Sequence, residues 1–457
     1  MKDTTVVILA AGDGKRMKSS LPKVLHKAAG RPLVDWVVTT AEKVIDGKPI
    51  VVYGSGGDAV PEFLGDRCVY ALQEKRLGSG HAVMMATEAM KEYKYAVILA
   101  GDMPLVREGS LEKLITLAEA GEYSALLLTG EVENPTGYGR IKRIGSDVAG
   151  IVEEKDATDE EKAIKEVNLS FYCFKVADLV SALDELTPNN AQGEYYLTDC
   201  INIMYEKGQR TGAIMIDDMA ECYGVNNKAH LAQATKALYA RINDRLMTEC
   251  GVTMIDPDAT YIDDTVEIGS DTVIYPGVVI EGASRIGAGV TLYPGSRITD
   301  STIGDGTVVQ NSVIVEAAVG ENTKVGPYAF LRPGTSIGSE CRIGDFVETK
   351  NCNIGDGTKV SHLTYVGDSD LGRDINIGCG VVFVNYDGKE KHRTTVGDGA
   401  FIGCNTNLIS PVNVGSGSYI AAGATVTKDI PDDALCIARA RELIKEGWGK
   451  GRYVRKK

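Results

Sequence analysis

Large rings are scarce in this chain: aromatics make up 6 %, with only two Trp and seven Phe, while glycine numbers 52. That balance suits a repeat built from small side chains. Positive charge is short as well. Lys and Arg number 49 against 63 Asp and Glu, a net charge of −14, which argues against a nucleic-acid partner. Any anionic ligand must then be held by locally placed Lys or Arg, or by a divalent cation. The ten cysteines show no CxxC pair and no metal-finger spacing, so reduced thiols in a cytoplasmic protein are expected. No apolar run approaches membrane-spanning length, which predicts no membrane insertion. Residues 4–11 read as a strand that leads into a loop, not as a secretory leader. At 457 residues two or more domains are expected.

What is abundant is a beat. Ile262, Ile268, Ile274, Ile280, Ile286, Leu292 and Ile298 fall six apart. After one-residue slips the beat returns at Val319, Val325, Leu331, Ile337 and Ile343, then at Ile354, Val360 and Val366, and finally from Val396 to Val426. Neither a helix nor an alternating strand puts one aliphatic residue at every sixth position. A prism-shaped solenoid does, with each hexad forming one face, three hexads one coil, and the aliphatic residue pointing inward. Glycine often follows the inward residue, as at Gly269, Gly287, Gly326, Gly344, Gly378 and Gly403. Such a corner needs positive φ or close backbone approach, and glycine allows both.

The first half reads differently. Val6–Leu9 is a buried strand, followed at once by Ala10-Ala11-Gly12-Asp13-Gly14-Lys15-Arg16-Met17. Strand, glycine-rich turn and basic residues form the layout of a phosphate cradle. Strands and helices then alternate: Ile50–Tyr53, a helix near Val83–Met90, Ala96–Leu99, a helix near Leu111–Ala118, and Ser124–Leu128. That order predicts a doubly wound, Rossmann-like α/β domain with its ligand at the carboxyl ends of the strands. Asp102 closes one of those strands, where an acidic side chain can hold a hard cation that bridges phosphates. Lys228–Glu249 has helical periodicity and predicts a linking helix.

The loop from Leu9 to Met17, followed by Pro22-Lys23, resembles the signature of sugar-nucleotide pyrophosphorylases. The resemblance implies roles for residues that are ordinary alone. Leu9, Ala10, Ala11, Gly12, Arg16 and Lys23 would hold UTP phosphates, and Gln73, Gly78 and Ser79 would read the nucleoside. Ala100, Gly101 and Asp102 would lie at the phosphates, with Asp102 and Asn226 holding Mg²⁺. Gly139, Glu154 and Asn168 would hold the acetylated sugar. The pyrophosphorylases more often carry Thr where Ser79 stands, which keeps the hydroxyl.

In the second half, His362 is one of five histidines and lies among Arg332, Lys350, Tyr365 and Asn376. An imidazole suits proton removal from an attacking amine, and the cations suit an anionic sugar phosphate. Residues 383–389, Phe-Val-Asn-Tyr-Asp-Gly-Lys, break the beat. With this loop, nearly the whole chain is similar to the family of bifunctional enzymes that join a glucosamine-1-phosphate N-acetyltransferase to an N-acetylglucosamine-1-phosphate uridyltransferase. The resemblance implies a left-handed parallel β-helix as an all-β second domain. It implies His362 as the base, and Arg332, Lys350, Tyr365, Asn376 and Asn385 on glucosamine 1-phosphate. It places Cys379, Asn385, Tyr386, Cys404, Ala422 and Arg439 along the acetyl-CoA groove.

That family usually has Ala or Ser in place of Cys379 and Cys404. Two thiols beside a thioester suggest sensitivity to alkylation or oxidation, against the plainer reading of small packing residues. The implied partners are glucosamine 1-phosphate, acetyl-CoA, UTP and Mg²⁺, in a homotrimer. The tail Lys450–Lys457 would lie near a coenzyme phosphate, solvated from Arg452 onward. Expected domains are 1–228, uridyltransferase; 229–249, linker helix; and 250–457, acetyltransferase. The rival expectation is a nucleotidyltransferase whose β-helix only oligomerises.

Overall fold

The computed structural model describes residues 1–12 and 14–450; Asp13 of the glycine-rich loop and the tail 451–457 lie outside the described residues. The chain divides into two compact units, Met1–Leu238 and Tyr239–Lys457, and the helix Lys228–Thr248 runs through the division.

In the first unit the main sheet runs, edge to edge, through Thr211–Met215, Ala125–Glu131, Glu166–Lys175, Tyr95–Ala100, Thr4–Ala10, Ile50–Gly54 and Val69–Gln73. All neighbours are parallel except Glu166–Lys175, which is antiparallel to both of its neighbours. Alternate residues of the first strand feed two cores. Val6 and Ile8 pack with residues of the helices Leu33–Val44 and Glu108–Ala120, whereas Val7 packs with those of Ser79–Met90 and Val176–Leu183. Cover on both faces is why Val6-Val7-Ile8 is a continuous apolar run. The first strand sits centrally, so its carboxyl end at Ala10 lies beside that of Tyr95–Ala100, where a doubly wound sheet opens a ligand crevice.

The second unit is a parallel β-helix. Its short strands stack into three ladders, one forming an eleven-stranded sheet and the other two joined as a seventeen-stranded sheet. Every residue named in the six-residue beat is buried, at 8 % exposure or less. The slips have a plain cause, since some coils close in fewer than 18 residues. Arg285 pairs with Thr302, for example, and Val308 with Lys324. Coiling also begins before the first Ile of the beat, because Thr253–Met254 already pairs with Val273–Ile274. At Thr349 the inward position is polar. It is fully buried and lies 3.1 Å, hydroxyl to hydroxyl, from Thr335.

Of the two reasons for glycine after the inward residue, close approach is the general one, and only Gly326 after Val325 also has positive φ, at 105°. A Cβ at Gly403 would stand 2.4 Å from the backbone nitrogen of Ala422. Positive φ falls two residues later instead, at Asp271, Gly289, Gly380 and Asn405. Three bulky residues share that corner: Tyr328, Phe346 and Leu363, with φ of 60°, 56° and 41°.

Candidate functional site

Two groups of chemically able side chains stand out, one in each unit. In the first, a cavity of about 540 Å³ opens at the strand ends, lined by Leu9, Ala11, Gly12, Lys15, Lys23, Gln73, Arg76, Gly78, Ser79, Ala100, Asp102 and Glu194. The loop is tied to neighbouring segments. Gly101 N–H donates to the Leu9 carbonyl at 2.9 Å, and Arg76 Nε donates to the Ala11 carbonyl at 2.7 Å. A Cβ at Gly14 would press on Lys23, which keeps position 14 a glycine at φ 59°.

Lys23 forms an ion pair with Asp102, both side chains being largely buried. Asn226 is drawn to the same place, since Val225 N–H donates to the Asp102 carbonyl at 2.9 Å and Arg16 donates to Asn226 Oδ1 at 2.8 Å. The Asp102 carboxylate and the Asn226 amide oxygen thus each already face a cationic group. Two such hard oxygens fit a divalent cation that completes its shell from phosphate and water.

Gln73 is buried and its amide nitrogen lies 3.2 Å from the Gly78 carbonyl and 3.0 Å from His81 Nδ1. Ser79 Oγ accepts from Leu197 N–H at 3.1 Å. Gly139, Glu154 and Asn168 stand outside the cavity lining but belong together. Asn168 N–H donates to the Gly139 carbonyl at 2.8 Å, and the buried Arg140 donates to Glu154 at 2.6 Å. The Arg140 hydrogen bond, then that from Gly137 N–H, holds the Glu154 carboxyl below the usual carboxylate range.

In the β-helix one column of side chains crosses successive coils, each two residues past an inward aliphatic. Asp345 and His362 are register partners, with His362 Nδ1 2.8 Å from Asp345 Oδ1. This contact, before any other, keeps the Asp345 carboxyl below its ordinary range. The same register carries the column to Cys379, Cys404 and Ala422, because Val360 pairs with Ile377, Ile377 with Ile402, and Ile402 with Ile420. Arg439 follows at the top, its Cδ 3.7 Å from where a Cβ of Gly423 would be.

Around the corner lie the cations. Arg332 donates to Glu348 at 2.6 Å, and Lys350 lies against Lys391, whose hydrogen bond, then its charge, pushes the Lys350 ammonium below the usual lysine range. Asn385 is buried, bonded to Asp368 and, at 3.4 Å, to the Tyr365 hydroxyl. It opens an insertion that lengthens its coil, so that Asn376 pairs with Phe401, 25 positions on, whereas the coil before pairs Lys359 with Asn376. Arg393 ties the loop's far end to Asp370 and to the Asn351 carbonyl at 3.0 Å, while Tyr386 stays 56 % exposed. Asn376 is not brought into this group; it belongs to the eleven-stranded sheet, while Arg332, Lys350, Tyr365 and Asn385 decorate the seventeen-stranded one.

Residues 6–168 match the MobA-like NTP transferase domain, and 265–300 and 393–428 match bacterial transferase hexapeptide repeats. The chain is 50 % identical over 450 residues to the bifunctional protein GlmU of Acetivibrio thermocellus, covering 98 % of this chain and 97 % of that one. The chain belongs to the GlmU family. Identity to GlmU of Caldanaerobacter subterraneus is also 50 %, over 98 % of each chain, and to that of Clostridioides difficile 49 %, over 97 % and 96 %. A crystal structure of UDP-glucose pyrophosphorylase with UDP-glucose is similar over 53 % of this chain and all of that one, at 19 % identity and TM-score 0.42.

Relative to the other GlmU-family features, three site neighbours escaped the sequence reading. Asp345 precedes His362 by one coil, so its signal is the coil length. Lys391 reaches Lys350 only because the loop folds back, as the Tyr386–Lys391 bridge shows. Arg76 had no sequence signal.

Proposed function

We infer that the chain makes UDP-N-acetylglucosamine in two steps: acetyl transfer from acetyl-CoA to glucosamine 1-phosphate, then uridylyl transfer from UTP with release of pyrophosphate. The family supports the pair of activities. The observation that carries the first step is the His362–Asp345 pair, at 2.8 Å, set in the column of Cys379, Cys404 and Ala422.

Asp345 accepts the hydrogen on His362 Nδ1, an assignment made from the hydrogen-bond geometry, and leaves the Nε2 lone pair for the substrate. The amine attacks the thioester carbonyl, and Nε2 takes its proton. Arg332, Lys350, Tyr365 and Asn385 hold the sugar phosphate, with Lys391 as a further cation. Cys379, Asn385, Tyr386, Cys404, Ala422 and Arg439 hold the coenzyme.

In the N-terminal unit the phosphate oxygen of N-acetylglucosamine 1-phosphate attacks the α-phosphorus in line, and pyrophosphate leaves. Leu9, Ala10, Ala11, Gly12, Ala100 and Gly101 shape the cradle, and Arg16 and Lys23 neutralise developing charge. Gln73 has its amide N–H groups turned to Gly78 and His81, so it offers the amide oxygen to uracil N3–H. Gly78 and Ser79 close over the nucleoside, and Gly139, Glu154 and Asn168 hold the acetylated sugar. Mg²⁺ held by Asp102 and Asn226 would supply further neutralisation of the phosphates. The working division is residues 1–228 for uridylyl transfer, 229–249 as link, and 250–457 for acetyl transfer.

We further read the assembly as a homotrimer. Tyr328, Phe346 and Leu363 stack on one corner, each more than half exposed and each in the left-handed region that bulky residues seldom adopt. A second copy covering them would offset that strain by burying the rings. No helix among the described residues is long and apolar enough to cross a membrane.

The test is two separate assays on the purified chain. Acetyl-CoA and glucosamine 1-phosphate should release free thiol, and UTP, Mg²⁺ and N-acetylglucosamine 1-phosphate should release pyrophosphate. Pyrophosphate without thiol release would leave the β-helix as an oligomerising platform only.

A further inference from the structure

The column that carries His362 has two members whose chemistry acetyl transfer does not need. Cys379 and Cys404 occupy equivalent places on consecutive coils. Gly378 N–H donates to the Ile402 carbonyl at 2.8 Å, and Asn405 N–H donates to the Cys379 carbonyl at 2.7 Å, so backbone bonds bracket the pair on both sides. Parallel neighbours in register lie about 4.8 Å apart, inside the roughly 4.4–6.8 Å Cα window of a disulfide. Side chains of register partners point the same way, and here that way is outward. Cys404 is exposed and Cys379 half-buried.

No other cysteine pair combines this register with access. Cys68, Cys173, Cys200, Cys222, Cys341 and Cys352 are buried, and burial pushes each of those thiols up, away from the reactive thiolate. Cys250 and Cys436 are half-buried, and the register partner of Cys436 is Ile420. On its other side Cys379 has His362, one coil away, which is itself bonded to Asp345. The groups facing that imidazole are therefore a carboxylate and a thiol, with Arg342 near the carboxylate and Lys359 on its own strand. Carboxylate, imidazole, thiol and thiol follow one another up a single edge.

We propose that Cys379 and Cys404 are a modification site for small disulfides, closing to an intramolecular disulfide that shuts the acetyl-transfer groove and reopens on reduction. Cys379 gives its proton to His362 and attacks one sulfur of a disulfide RSSR, of the glutathione or coenzyme A class, and RS⁻ departs with a proton. Cys404, as thiolate, then attacks the Cys379 sulfur and expels the second RS⁻. Two protein thiols and RSSR become one protein disulfide and two RSH. Closure occupies the two sulfurs of the groove and draws Cys379 away from the imidazole. The effect on acetyl transfer rests on the function proposed above; the thiol chemistry does not.

The test uses the full chain and oxidised glutathione, with peptide mapping beside both activity assays. Mapping is expected to find a Cys379–Cys404 linkage, with acetyl transfer lost, pyrophosphate release kept, and both states restored by dithiothreitol. Coenzyme A added beforehand should slow closure. Cys404→Ser should instead keep one glutathione on Cys379. Mapping that finds both thiols free, or joined to other cysteines, would overturn the proposal. Closure that leaves acetyl transfer intact would overturn its control of the groove. A reduced chain with no acetyl transfer would sink the functional reading alone, because the linkage is scored by mass.

Discussion

Replacing His362 by alanine separates the two halves of the proposed function. The His362 side chain is 52 % exposed and makes one side-chain hydrogen bond, to Asp345, so its removal leaves no cavity. Surface changes of that kind shift stability by about 0.5 kcal/mol or less. Losing a general base costs about 10²–10⁴ in rate, which is roughly 3–5.5 kcal/mol of barrier. The loss must therefore appear as chemistry, not as unfolding. Thiol release from acetyl-CoA should fall by that factor, while pyrophosphate release from UTP and N-acetylglucosamine 1-phosphate stays within about twofold. Both are read on one preparation, with thermal melting as the check on folding. A variant that still transfers acetyl within about tenfold of the parent would refute His362 as the base. Equal loss of both activities would refute the separation.

Four other outcomes follow from the same geometry. Asp102→Ala should abolish pyrophosphate release and spare thiol release, and chelating divalent cations with EDTA should reproduce that split. Ile402→Ala removes a fully buried inward residue and should cost about 2–5 kcal/mol in chemical denaturation of the β-helix. Alkylation by N-ethylmaleimide should block acetyl transfer, with acetyl-CoA protecting; unchanged activity with and without acetyl-CoA would remove the cysteines from the groove. Light scattering should give three copies of the 48.8 kDa chain, and Phe346→Asp should lower that mass.

Much of the second unit could be read from spacing, because a six-residue period forces the same burial at each repeat. Where coils shorten, as between Val308 and Lys324, the period loses its phase, and only backbone pairing shows which residues face each other. Met254 and Thr349 were hidden for another reason, since an inward position filled by Met or Thr carries no aliphatic mark. In the first unit the loop and Asp102 were legible from strand ends. The Lys23–Asp102 pair was not, because 79 positions separate its members. Asp345 and Lys391 join the site only through coil stacking and a folded loop. Asn376 shows the converse limit, being near Tyr365 and Asn385 in sequence yet on a strand of the other sheet, beside that of His362.

The most direct measurement is a one-pot reaction of the reduced chain with glucosamine 1-phosphate, UTP, Mg²⁺ and acetyl-CoA labelled in the acetyl group. The expected result is the label in a UDP-sugar, preceded by labelled N-acetylglucosamine 1-phosphate, with one thiol and one pyrophosphate released per product. Pyrophosphate released into an unlabelled UDP-sugar, or thiol released with no UDP-sugar formed, would contradict it.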